Sequence, residues 1–189
     1  FQYIISILYN KPKNRPIINT ISVSIPRMKE VINAVSRAIS KNDQIFWVCP
    51  LVKDSEKLDL AAAETRAKYL EKYFPKKVAL VHGQMSSEEK ETALSEFSSQ
   101  NKPILVATTV IEVGIDIPNA TVMIIEHAER FGLAQLHQLR GRVGRGTKES
   151  ICILLYSSNI GNIAKERLSV MRETNDGFII SEKDLKLRG

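Results

Sequence analysis

Twelve residues, QLHQLRGRVGRG from Gln135 to Gly146, carry three arginines and no acidic residue. A water-facing helix usually supports such charges with Glu or Asp one turn away, whereas this segment interleaves glycines. The spacing of Gln138, Gly141, Arg142, Gly144 and Arg145 reads Q-x-x-G-R-x-G-R. Glycine lets backbone approach a ligand closely. Arg142 and Arg145, three apart, are expected to be neighbours on one face at the end of a helix. Two guanidiniums with no carboxylate in their own segment suit the equatorial oxygens of a transferring phosphoryl group, where charge stabilisation dominates catalysis. A solvated basic face would not call for Gly141, Gly144 and Gly146.

A second stretch, ATTVIEVGIDIPNA from Ala107 to Ala120, leaves an apolar run at two threonines. The hydroxyls and backbone N–H groups of Thr108 and Thr109 can bind phosphate oxygens, and Asp116, reached through Gly114, can accept a hydrogen bond from a sugar hydroxyl. An ordinary loop after a strand, with Asp116 and Asn119 as turn formers, accounts for the same residues and stays open on this stretch alone.

The elements that must position these residues alternate in type. IINTISVSI (Ile17 to Ile25) has strand character, and PRMKEVINAVSRAIS (Pro26 to Ser40) has Pro near a helix start and apolar residues at helical spacing. QIFWVCPLV (Gln44 to Val52) is the continuous apolar run of a strand buried on both faces, with a helix expected from about Leu58 to Tyr73. KVALVH (Lys77 to His82) is a third strand, and Ser86 with Glu89 three residues on forms a capping box that opens a helix. PILVATT, TVMIIE and SICILLY add strands at Pro103 to Thr109, Thr121 to Glu126 and Ser150 to Tyr156. Strands alternating with helices predict an α/β domain around a mostly parallel sheet, whose ligands sit beyond the carboxyl ends of the strands. Residues after each run are therefore the candidates: Pro50, His82 to Gln84, Thr108 to Asp116, and Glu126 to Glu129. From about Ile160 the alternation stops, and a helical appendage is expected. Residues 1–16, with Pro12 and Pro16 among Lys11, Lys13 and Arg15, read as a linker.

The 189 residues suit one main domain, and the formal charge of +6 is compatible with a polyanion partner without requiring one. Cys49 and Cys152 form no CxxC pair, which argues against a zinc site or disulfide framework. No apolar run reaches the roughly 18 residues of a membrane span and no leader pattern opens the chain, so a cytoplasmic location is expected. A chain that begins at Phe1 rather than Met is expected to belong to something longer.

The two arginine- and threonine-bearing stretches resemble motifs VI and V of superfamily 2 helicases. Together with FWVCPLV, VHGQMSSEEK, AERFGLAQLHQLRG and RLSVMRETNDGFIISEKDLKLRG, they are similar to the second motor domain of RecG-type branch-migrating DNA helicases, from Ile17 to Gly189. Transcription-repair coupling translocases share QLRGRVGR and a similar tail, but TTVIEVG and AERFGLAQLH look more like the RecG type. The resemblance implies a RecA-like three-layer α/β domain at residues 17–159 and a helical hairpin, the start of a translocation motif, at 160–189. It implies that Arg142 and Arg145 reach the γ-phosphate of ATP, one as an arginine finger, with Gln138 assisting, Gly114 in the nucleotide site and Asp116 on the ribose. Thr108, Thr109 and the backbone around Gly83 would touch a DNA phosphate, and Arg167 would couple ATP state to duplex movement. His127 and His137 are read as structural or coupling. The implied cofactors are ATP and Mg²⁺, and the implied partners are branched and duplex DNA with a first motor domain and a wedge domain of the same polypeptide. The implied activity is fork reversal and junction migration in repair and recombination, in a nucleoid-associated bacterial protein.

The departures are equally specific. No G-x-x-x-x-G-K-[ST] loop and no Asp-Glu box occur in the chain, so it is expected to be inactive towards ATP by itself. A free-standing nucleic-acid binding module is the alternative class. A dinucleotide-binding domain is disfavoured because no G-x-G-x-x-G follows a strand.

Overall fold

The computed structural model describes residues 18–51, 56–108, 120–144 and 148–188. Six parallel strands form one sheet: β1 (Ile18–Ser24), β2 (Gln44–Cys49), β3 (Val78–Val81), β4 (Ile104–Thr108), β5 (Ala120–Ile125) and β6 (Ser150–Tyr156). Their order is β1-β6-β5-β2-β4-β3. The α/β expectation and the parallel sheet hold, and the strands fall within about three residues of the apolar runs that announced them.

Each strand divides its side chains between two cores because successive residues point to opposite faces. In β2, Phe46 and Val48 enter one core while Ile45, Trp47 and Cys49 enter the other. β4 splits Leu105 and Ala107 from Ile104 and Val106 in the same way. Helices α1 (Met28–Ser40) and α2 (Glu56–Tyr73) cover the second of these faces through Val31, Val35, Ala63 and Leu70. Helices α3 (Ser87–Ser98) and α4 (Leu133–Arg140) cover the first through Ala93, Phe97, Leu133 and Leu136. The division follows from handedness. The chain crosses the sheet in one direction from β1 to β3 and returns from β3 to β6, and right-handed crossovers place the two sets of helices on opposite faces.

Local chemistry sets the helix starts. Pro26 sits in a 3-10 turn, Ile25–Arg27, before α1. At α3, Ser86 Oγ accepts from Glu89 N–H and Glu89 Oε1 accepts from Ser86 N–H, the reciprocal pair expected from the sequence.

The tail forms two helices, α5 (Asn162–Glu173) and α6 (Gly177–Arg188). They join the first core: Leu168, Val170, Met171 and Ile180 are buried in the cluster that holds Leu133, Leu136, Cys152 and Leu154. Asp176 Oδ1 accepts from Phe178 N–H at 2.8 Å, tying the turn before α6 to its first residues.

Candidate functional site

Helix α4 is capped at its start by Gly132, whose N–H is accepted by Gln135 Oε1 at 3.2 Å. It ends at Arg140, because Gly141 follows and the next bonds tighten to three-residue steps, Arg142 N–H to Leu139 O and Val143 N–H to Arg140 O. Gly144 then adopts φ +78°, and a Cβ there would lie 2.8 Å from Ile18 Cγ1. Arg142 therefore lies in the turn after the helix, which Gly141 ends, and its expected pairing on one face with Arg145 falls outside the described residues. Gln138 is exposed on the last turn of α4, Arg142 is partly exposed just beyond it, and Arg142 makes interactions within the chain. Arg145, Gly114, Asp116 and Thr109 lie outside the described residues.

The third arginine of the segment was not nominated from sequence. Arg140 is 2% exposed. Its Nη1 donates to Met171 O at 2.7 Å and to Thr20 Oγ1 at 3.2 Å, and Nη2 lies 3.3 Å from His137 Nδ1. Burial draws this guanidinium below its ordinary range. His137 is likewise shifted down, by burial first and then by the Arg140 charge, with Asp176 opposing.

The predicted phosphate contacts meet in a second place. A cleft of about 170 Å³ is lined by Leu51, Asp59, Leu60, His82, Gly83, Gln84 and Thr108, beyond the carboxyl ends of β2, β3 and β4. It brings Gly83 and Thr108 together. Thr108 Oγ1 is buried with no hydrogen-bond partner among the described residues, which is uncommon for a hydroxyl and suits a group that meets a ligand. Gln84 N–H donates to His82 Nδ1 at 3.2 Å, closing the turn that exposes Gly83. On α5, Arg167 is half-buried, and its Nε also has no partner among the described residues.

Two polar clusters occupy the carboxyl end of β5. Glu126 accepts from Arg66 Nε and Nη2 and from Trp47 Nε1. Burial works against ionisation of Glu126, but the Arg66 bonds and charge prevail and hold it below the usual carboxylate range. Next to it, His127 sits in the left-handed region at φ 51°. Its Nδ1 lies 3.1 Å from Glu129 Oε2 and 3.2 Å from Ser157 Oγ, while Ser157 donates Oγ–H and N–H to the same carboxylate. One ring nitrogen faces both partners, so the trio cannot relay a proton from serine through histidine to glutamate. It ties the end of β5 to the end of β6.

Residues 27–147 match the helicase conserved C-terminal domain family. The chain belongs to that family. ATP-dependent DNA helicase RecG of Pasteurella multocida is 50% identical over 186 residues, covering 97% of this chain and 27% of the relative. A solved structure of RecG bound to a three-way DNA junction superposes with TM-score 0.79 at 42% identity, covering 98% of this chain and 25% of that one. Domain 2 of the DEAD-box helicase Mss116p bound to an RNA duplex gives TM-score 0.65 at 16% identity, over 90% of this chain and 69% of that one, a likeness of fold. The helicase family member described here is thus of the RecG type with a RecA-like sheet, and spans about a quarter of the length of its RecG relatives. Among the described residues, no helix is long and apolar enough to cross a membrane.

Proposed function

We propose that this chain is the second motor domain of an ATP-dependent double-stranded DNA translocase that reverses stalled forks and migrates branched junctions. The observation that carries the proposal is the cleft shared by Gly83 and Thr108, where a buried hydroxyl without a partner among the described residues lies beside exposed loop backbone at the carboxyl ends of adjacent strands. Such a group suits a phosphate oxygen, which needs donors and carries no base identity.

In the same proposal the nucleotide is shared between two motor domains. Arg142, beyond the end of α4, and Arg145 supply positive charge to the terminal phosphate, Gln138 assists, and Asp116 with Gly114 takes the sugar side. The β-phosphate and Mg²⁺ belong to the first motor domain, since this sequence has no phosphate-cradling loop and, among the described residues, no acidic or thiol–imidazole group that could hold a metal. ATP supplies the free energy; closing of the two domains around it shifts the cleft at Thr108 relative to the duplex. The tail helices, with Arg167, pass that shift to the DNA.

The test is Arg142→Ala in the full-length protein. DNA-stimulated ATP turnover should fall by about 10³-fold or more, the scale of an arginine finger, with affinity for branched duplex DNA largely intact. Turnover near the wild-type level would remove Arg142 from the nucleotide site.

A further inference from the structure

Arg140 plays no part in the function proposed above, yet it is among the most completely buried large side chains of the chain. Among the described residues no carboxylate pairs with it. The compensation these residues give it is dipolar. The strongest acceptor, Met171 O, lies in the last turn of α5, where carbonyls have no intrahelical partner and the helix end carries partial negative charge. Thr174 N–H takes the neighbouring Val170 O, so Arg140 and the chain together finish the C-terminal cap of α5.

The second acceptor is on the sheet. Thr20 presents its hydroxyl from edge strand β1, two residues from Ser22, which accepts from Arg172 of α5. Residues two apart on a strand share a face, so one face of β1 receives an arginine from α4 and another from α5. The third contact is with His137, one turn back on α4, and a Cβ added at Gly177, the first residue of α6, would lie 3.0 Å from His137 Nε2. Four elements, α4, α5, β1 and α6, thus converge around one guanidinium and its histidine.

Packing alone does not explain an arginine here. A buried cation without a carboxylate costs desolvation, and an apolar side chain of similar volume would fill the space at no such cost. What arginine adds is direction: a planar fork satisfied by several acceptors at once, which fixes the elements holding those acceptors. Arg140 is also the last residue of α4, immediately before Gly141 and Arg142.

We infer that Arg140 is a positioning residue, which locks the C-terminal end of α4, and with it the Gly141–Arg142 turn, to the C-terminal end of α5 and to β1. The nucleotide-facing turn and the tail helices then move as one body, so that Arg142 is placed by the tail rather than by its own loop. The inference rests on the proposed role of Arg142.

The test replaces Arg140 with Met and, separately, with Lys in the full-length protein, and reads ATP turnover and amide hydrogen exchange. In R140M, kcat should fall about 10–100-fold with KM for ATP little changed, the scale expected when a catalytic group is displaced by about 1 Å. Amides of Gly141, Arg142, Val143 and Thr174, all hydrogen-bonded in the structure, should lose protection while those of the sheet keep it. R140K, which keeps the charge but reaches fewer acceptors, should lie between R140M and wild type. Wild-type kcat and local protection in R140M overturn the inference, as does a loss of protection spread evenly over the sheet. Should R140M not fold, wild-type kcat in R140K overturns it. A wild-type protein with no DNA-stimulated ATP hydrolysis would instead sink the proposed function, so the two failures are distinguishable.

Discussion

Arg66 grips Glu126 in a two-point fork, Nε to Oε1 at 2.8 Å and Nη2 to Oε2 at 2.9 Å, with its guanidinium over the rings of Trp47 and Tyr69. The pair pins α2 to the carboxyl end of β5, and both side chains are largely shielded from water. Removing one member leaves the other charge poorly compensated. Arg66→Met should therefore cost about 3 kcal/mol in urea unfolding. Combining it with Glu126→Gln should cost clearly less than the sum of the two single changes, because the second change removes the stranded charge. Additive effects would show that the fork contributes nothing as a pair.

The strands were legible because a parallel strand buried on both faces leaves a short unbroken apolar run, and QIFWVC, ILVAT and ATVMII are such runs. The capping box at Ser86 was legible because both partners lie within four residues. Arg140 was not: its acceptors are a backbone carbonyl 31 positions away and a hydroxyl 120 positions away, and a carbonyl has no sequence signature. Glu126 was placed among residues worth inspecting, but nothing in the sequence links it to Arg66, 60 positions earlier. Helical spacing carries no mark of where α4 stops, and the structure places Arg142 in the turn beyond Gly141.

His137 gives the fold a specific acid sensitivity. Burial and the neighbouring Arg140 charge depress its folded-state value below the ordinary 6.5, so the folded chain holds the ring neutral while the unfolded chain protonates it first. The unfolded state then binds more protons, and stability contributed by the neutral ring is present above pH 6.5 and is lost as pH falls through that value towards the folded one. Unfolding free energies of the wild type and His137→Asn, measured from pH 7.5 to 5.5, should diverge in slope, with the wild type losing more. Ionisation of Glu126 is also linked to folding, but its window lies lower, below 4.5, and does not overlap. Parallel slopes for the two proteins would show that His137 is not held neutral by the fold.

Thr108 separates function from stability. Its hydroxyl is buried in the cleft beside Gly83 and has no partner among the described residues, so these residues leave it the desolvation cost of burial and give it no bond in return. Valine has nearly the same shape and lacks the hydroxyl. Thr108→Val should therefore leave unfolding stability unchanged or raise it slightly, whereas loss of an ordinary internal hydrogen bond would lower it by about 1 kcal/mol. If the hydroxyl donates to a DNA phosphate, the same change should weaken duplex binding about 10- to 100-fold, since a hydrogen bond to a charged group contributes about 1.5–3 kcal/mol. The weakening should be uniform across DNA sequences, because phosphate contacts carry no base information. The salt dependence should be unchanged, because no cationic group has been removed. A variant with wild-type DNA affinity would take Thr108 out of the interface, and a destabilised variant would mean that its hydroxyl serves the fold instead.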